Sequence, residues 1–194
     1  MRVNIKKKRQ FGVSGRNPQF IIFTDKDGTI DLGDQKFNEI LKTINKLGGM
    51  VVPTTGRTVG DIIENLKKRG IEVPDIIIGD NGANIYSNSE SKFLSKTLLG
   101  HKKKDIIMQE FLKVGGDIDL VRYTDGKSIF APNTRDAKNY YKNSKIVNLD
   151  NNIQNSIKDN DEITKITLAG TKEQMEVLSK IYRENDLRYL CCWK

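Results

Sequence analysis

The chain has 194 residues, of which 37% are hydrophobic and 30% are charged, and it carries a net charge of +8. This composition is typical of a folded globular protein and excludes collagen-like and wholly disordered chains. No apolar run approaches the roughly 18 residues of a membrane-spanning helix and no secretory signal is recognisable, so we predict a cytoplasmic protein without a membrane partner.

The first predicted strand carries the residues around which the chain is organised. Residues 1–19 are basic and contain Gly12, Gly15 and Pro18, so we expect an N-terminal arm there. The apolar run over 20–24 then predicts a buried strand, and it ends in Asp25 and Asp27. Ligands of open α/β sheets bind beyond the carboxyl ends of the strands, so we expect both carboxylates to face a site.

Two acids one residue apart are suited to phosphoryl transfer. One carboxylate can attack phosphorus while the other protonates the leaving oxygen and later activates water. The same pair offers hard oxygen ligands for Mg²⁺. The alternative is a strand followed by an ordinary Asp-Gly turn, in which Asp25 only caps the loop.

The next elements predict a parallel βαβ unit. Apolar residues at helical spacing from Phe37 to Leu47 indicate a helix that begins near Asp34, and Met50 to Val52 form a second strand. The following P-T-T-G-R turn should then lie beside Asp25. Its hydroxyl, backbone N–H groups and guanidinium would suit a phosphate, and these ligands are Thr55, Gly56 and Arg57. An ordinary turn is the alternative.

A second helix and a third buried strand follow. Val59, Ile62, Ile63 and Leu66 share one helical face, and Ile76 to Ile78 precede the polar stretch G-D-N-G-A-N-I-Y. The motifs D-K-D-G-T, T-T-G-R and D-N-G-A-N-I-Y together resemble the Cof-type phosphatases of the haloacid dehalogenase (HAD) superfamily.

The resemblance implies a role for each matching residue. Asp25 would be the nucleophile and Asp27 the general acid/base, and both would bind Mg²⁺. Asn81 and Gly82 would line the entrance to the substrate site, whereas Asp80 matches no catalytic position of the family. Lys26 departs from the pattern, which usually has an apolar residue there.

From Ser87 onward the pattern changes to shorter, mixed elements. It predicts a helix around 106–112, a hairpin at Asp125-Gly126, a short helix over 135–141, a helix around Ile153 and Ile157, a strand over 163–169, and a helix opened by a Thr171–Gln174 capping box. These elements resemble the α+β cap of the family. Four residues of this region are candidates for facing the site: Arg122, Tyr123, Lys127 and Arg135.

The predicted fold is therefore α/β, a HAD-like parallel Rossmannoid core of three strands with an inserted α+β cap domain. The expected division is an arm over 1–19, a core over 20–86 and a cap over 87–194. The family's later Lys and acidic loop have no counterpart after the cap, so we expect the C-terminal part of the core to be absent. The first strand would then lie at the edge of the sheet with its apolar residues exposed. We expect either the basic arm or a second copy of the chain to cover this edge.

Three functions follow from this interpretation. The leading one is a Mg²⁺-dependent phosphatase that hydrolyses a small phosphate monoester through an aspartyl-phosphate. The second is a shortened HAD-like protein of impaired activity that binds a phosphorylated ligand or a partner. The third is a phosphatase acting on nucleic-acid ends, which the positive charge allows but no recognised nucleic-acid motif supports.

Overall fold

The structure is a computed structural model, and it describes residues 17–25, 34–133, 146–149 and 152–187. The chain divides into two compact units. The first comprises residues 1–57 and 62–95, and the second comprises residues 58–61 and 96–194. Asp27, residues 1–16 of the predicted arm and the helix expected over 135–141 lie outside the described residues.

The sheet of the first unit has five strands in the order β1-β2-β3-β4-β5. They are β1 (Phe20–Asp25), β2 (Gly49–Thr54), β3 (Ile76–Gly79), β4 (Asn84–Ser87) and β5 (Lys92–Lys96). The pairs β1–β2 and β2–β3 are parallel, while β3–β4 is antiparallel. The predicted parallel α/β core of three strands is therefore confirmed, and the sheet continues into two strands that the sequence pattern did not reveal.

Two helices provide the crossovers between the parallel strands. They are α1 (Asp34–Lys46) and α2 (Val59–Lys68). Their apolar residues recur at helical spacing, and one side of each helix is buried, through Phe37 and Leu41 in α1 and through Ile62 and Leu66 in α2. Strand β2 is buried along its centre, where Met50 and Val52 pack with Ile76 of β3.

Strand β1 departs from the interpretation of residues 20–24 as a buried strand. Four consecutive side chains, those of Phe20 to Phe23, are each at least 40% exposed. In the described part of the chain β1 stands at the end of the strand order, where β2 alone pairs with it. The exposed apolar edge expected from the sequence is therefore observed among these residues.

The second unit contains a mixed sheet in the order β8-β7-β6-β9. Its strands are β6 (Arg122–Thr124), β7 (Ile129–Pro132), β8 (Ile146–Leu149) and β9 (Lys165–Thr167), and its helices are α3 (His101–Lys113), α4 (Ile153–Asp159) and α5 (Lys172–Glu184). Strand β6 pairs antiparallel with β7 and β9, whereas β7 pairs parallel with β8. The strand predicted over 163–169 is observed only over the three residues of β9.

The core of the second unit includes Phe111, Leu178 and Tyr123. Tyr123 is 2% exposed and stacks on Phe130 at 4.7 Å between ring centroids, so it is a core residue and the suggestion that it faces a ligand is wrong. The predicted hairpin is present, since the backbone N–H groups of Lys127 and Ser128 donate to Asp125 Oδ1. None of the helices in the described ranges is long and apolar enough to cross a membrane.

Candidate active site

The parallel register of β1 and β2 determines where Asp25 lies. Asp25 is the last residue of β1, and its Cα is paired with that of Thr54. The Thr54 hydroxyl donates to the carbonyl of Thr24 at 3.3 Å, which ties the two strand ends together. An exposed carboxylate therefore stands beside the turn that follows β2, as the sequence predicted.

That turn, residues 55–57, is held by its own backbone and by β3. The Thr55 N–H donates to the carbonyl of Ile78 at 3.0 Å, and the Arg57 N–H donates to the Thr55 hydroxyl oxygen at 3.1 Å. Thr55 is 6% exposed, so its position is fixed by packing as well. A threonine hydroxyl that accepts a hydrogen bond still has a proton to donate, which a phosphate oxygen could accept.

The turn after β3 is built from three consecutive residues with positive φ. The φ values are 49° for Asp80, 58° for Asn81 and 93° for Gly82. Two backbone hydrogen bonds join this turn to the preceding one: the Asp80 N–H donates to the Arg57 carbonyl at 2.8 Å, and the Asn81 N–H donates to the Thr55 carbonyl at 3.0 Å. The turns that follow two neighbouring strands thus form one connected structure.

Gly56 allows these two turns to approach closely. A Cβ atom built on Gly56 would lie 3.1 Å from Asn81 Nδ2 and 3.4 Å from Asn81 Oδ1. The shorter distance is tighter than nine in ten Cβ contacts of real side chains, so the Asn81 amide would have to shift by a few tenths of an ångström to admit a larger residue. That Gly56 faces a phosphate stays a prediction from the sequence, and the structure adds its close approach to Asn81.

The ends of β1, β2 and β3 and the turns after β2 and β3 line an open cleft of about 390 Å³. Seven residues line it: Asp25, Thr54, Thr55, Gly56, Ile78, Asn81 and Gly82. Five of the residues singled out in the sequence are therefore neighbours here. Arg57 belongs to the same turn but is not part of the lining, and Asp27 lies outside the described residues.

Sequence reasoning did not find every polar residue around the cleft. Thr54 lines it, yet the sequence marked it only as part of a turn. Asp80 is 3% exposed, and Asn84 Nδ2 donates to its Oδ2 at 2.7 Å. A polar pair four residues apart across a turn has no periodic pattern, so only the folded geometry reveals it.

The donors at this cleft are hard oxygens. Among the residues that the structure describes, Asp25 is the one carboxylate on the lining, and it is accompanied by hydroxyl and amide oxygens. Within the same described ranges no group of three or more His, Cys, Asp or Glu side chains could hold a metal ion. Mg²⁺ commonly binds through one or two carboxylates and keeps several waters, so this donor set fits Mg²⁺ and does not suit a soft metal.

Comparisons with known proteins agree with this geometry. The family model described as haloacid dehalogenase-like hydrolase matches residues 22–191. The fold is similar to that of a haloacid dehalogenase-like hydrolase from B. subtilis, with a TM-score of 0.63 at 19% identity over 84% of this chain and 66% of that one.

Two further solved structures have the same fold. A HAD/COF-like hydrolase from Plasmodium vivax matches with a TM-score of 0.63 at 16% identity, over 86% of this chain and 62% of that one. A sugar phosphatase of HAD subclass IIB matches with a TM-score of 0.55 at 17% identity, over 84% and 62%. The chain thus spans less than two thirds of the length of these structures. No curated protein sequence matches it.

Proposed function

Since the chain belongs to the haloacid dehalogenase-like hydrolases, we propose that it is a phosphatase that cleaves a small phosphate monoester through an aspartyl-phosphate on Asp25. The observation that carries the proposal is the cleft in which the end of β1 meets the turns after β2 and β3. The sugar phosphatase among the proteins of similar fold makes sugar phosphates the first substrates to try.

In the proposed reaction, a carboxylate oxygen of Asp25 attacks phosphorus and the bond from phosphorus to the ester oxygen breaks. Asp27, acting as the acid, gives its proton to the leaving oxygen, so an alcohol departs. Asp27 then takes a proton from a water molecule, which attacks the phosphorus of the aspartyl-phosphate. Orthophosphate leaves, and both carboxyl groups return to their initial states.

The turns would bind the phosphoryl group equally in the bound substrate and during its transfer. The Thr55 hydroxyl and the backbone N–H groups around Gly56 can donate to its oxygens, and the Asn81 amide can donate from the opposite turn. Arg57, next in the chain, would add positive charge near the site. Because Thr55 and Asn81 are held by backbone hydrogen bonds, these donors need little reorganisation.

We further propose that Asp25 and Asp27 hold Mg²⁺ and that the protein works in the cytoplasm. Bound Mg²⁺ would neutralise negative charge that develops on the transferred phosphoryl oxygens. Nothing among the described residues favours nucleic acid over a small substrate, so the metabolite phosphatase is the function we carry forward.

The test is hydrolysis of an aryl phosphate and a panel of sugar phosphates by the full chain, with and without Mg²⁺. We expect turnover that requires the metal, and we expect Asp25→Asn to lower it by at least about a thousandfold because the amide is a poor nucleophile. Asp105→Asn, an exposed acid on α3, is the matched control and should keep full activity. A folded wild-type chain that turns over none of these substrates would contradict the proposal.

A further inference from the structure

We propose that Asp80 is a positioning residue, whose buried carboxylate holds the turn over 80–82 and thereby fixes Asn81 at the cleft. Its effect on turnover rests on the proposed phosphatase function, whereas its hold on Asn81 does not. Asp80 matches no catalytic position of the family and is not part of the cleft lining, so the inference depends on the geometry alone.

The first observation is the environment of the carboxylate. Asp80 is 3% exposed and Asn84 is completely buried, and Asn84 Nδ2 donates to Asp80 Oδ2 at 2.7 Å. A carboxylate is rarely buried to this extent unless polar partners compensate for its lost hydration. The contact joins the start of the turn to the first residue of β4, so it closes the turn from the side away from Thr55.

The second observation is the backbone conformation. Asp80 and Asn81 both have positive φ, a region that L-residues other than glycine occupy at a cost, and glycine would occupy it freely. Two such residues in succession persist only where their surroundings hold them. The surroundings here are the Asn84 contact on one side and the bonds to the Arg57 and Thr55 carbonyls on the other.

The third observation connects the turn to the ligand. Asn81 lines the cleft, and its amide lies so close to Gly56 that a Cβ there would approach within 3.1 Å. A rotation of the turn would therefore move the amide away from its place beside Gly56 at the cleft. Small misplacements of a group that contacts substrate can cost large factors in binding or rate.

The decisive experiment is a double-mutant cycle on the full chain, with an aryl phosphate as substrate. Asp80→Gly keeps the backbone free to adopt positive φ but removes the carboxylate. We expect Asp80→Gly and Asn81→Ala each to raise KM by about tenfold with kcat within about twofold. In the double variant KM should also be raised about tenfold over the wild type, because Asp80 acts only by positioning the Asn81 side chain, which that variant lacks.

A cycle in which the two effects multiply overturns the inference, because Asp80 would then act independently of Asn81. Ser91→Gly is the matched control for the backbone: it likewise replaces a residue of positive φ, 51°, by glycine, but Ser91 is exposed and does not line the cleft, so the change should alter neither KM nor kcat. If Asp80→Gly does not fold, Asn84→Ala replaces it in the cycle, since it removes the same contact from the other side.

A second readout needs no turnover. The Asn81 backbone N–H, which donates to the Thr55 carbonyl, should exchange slowly in the wild type and at least about tenfold faster in Asp80→Gly, measured by NMR in a protein of unchanged circular dichroism. Unchanged exchange overturns the inference. If the wild type hydrolyses no phosphate, the proposed function fails, and this exchange measurement alone decides whether Asp80 holds Asn81.

Discussion

A side chain at position 56 would crowd the Asn81 amide. In Gly56→Ala the new methyl group would press on the Asn81 amide, 3.1 Å away, while the fold around the turn has no reason to change. We expect KM for an aryl phosphate to rise by several fold, roughly five to ten, with a melting temperature close to that of the wild type.

Gly100→Ala is the control for this change, because nothing lies within 4 Å of a Cβ at that position. Its kinetic constants should equal those of the wild type. A Gly56→Ala protein with unaltered KM would mean that the Asn81 amide does not contact the substrate.

The buried hydroxyl of Tyr182 should make the free energy of unfolding depend on pH. Its hydroxyl donates to the Ile107 carbonyl at 3.1 Å, and burial, together with the nearby Glu110 carboxylate, raises the pKa of Tyr182 well above its ordinary value. A raised pKa in the folded state means that this stabilisation is complete below the unfolded pKa of about 10 and is lost as the pH rises above it.

Tyr182→Phe should therefore lower the free energy of unfolding by about 1 kcal/mol at neutral pH, through the lost hydrogen bond. Above about pH 10 the wild type loses stability that the phenylalanine variant keeps, so the gap between them should narrow. Urea unfolding of both proteins at neutral pH and above about pH 10 measures the difference in their free energies of unfolding. A gap that widens at high pH would show that the sign is wrong.

At the scale of elements, the end of α4 depends on a buried lysine. Lys104 of α3 is 1% exposed, and its Nζ donates to the carbonyls of Lys158 and Asn160 at 3.1 and 2.8 Å. Lys104→Met keeps the length of the side chain but leaves both carbonyls without this donor. We expect a loss of about 1–3 kcal/mol in the free energy of unfolding.

Lys102→Met is the matched control, since Lys102 is exposed on the same helix. It should change the free energy of unfolding by no more than about 0.5 kcal/mol. Equal stability of the two variants in urea would show that the contacts of Lys104 contribute nothing.

The elements that the sequence predicted are those with a strong periodic pattern or a clear terminal signal. Helix α5 is an example: Thr171 and Gln174 form the capping box expected from their spacing. Strands β4, β5 and β8 were missed because each has only four or five residues, and polar residues interrupt their apolar pattern. Their conformation depends on pairing with neighbouring strands, which a local pattern does not contain.

The residues of the candidate site also divide into those with a local sequence signal and those that depend on tertiary contacts. Asp25, Thr55 and Gly56 were predictable because each follows a recognisable strand, and the ends of parallel strands meet at one edge. The burial of Asp80 and Lys104 was not predictable, because it depends on hydrogen-bond partners that only the tertiary structure brings close. Charged residues are normally exposed, so a sequence argument assigns them to the surface.

At the scale of the whole molecule, the exposed side chains of β1 predict self-association. We propose that β1 strands of two copies pair with each other, because an apolar strand at the end of a sheet is a template for pairing. Phe23→Lys adds a charge at a side chain that is 62% exposed, so it should weaken association without destabilising the fold. Sedimentation velocity over a range of concentrations measures the effect.

Leu47→Lys is the matched control, because Leu47 is equally exposed at 62% but lies outside the strands. It should associate as the wild type does. A wild-type chain that stays monomeric at every concentration would refute the pairing of β1.

The strand orders of the two sheets also bear on how a growing chain folds. In the first sheet every strand lies beside its neighbour in the chain, so each new strand finds its partner already made. The second sheet pairs Arg122 with Thr167, and it stays incomplete until β9 has been synthesised. Contacts between distant residues form slowly and domains generally fold as units during synthesis, so we expect the first sheet to form on the ribosome before the second.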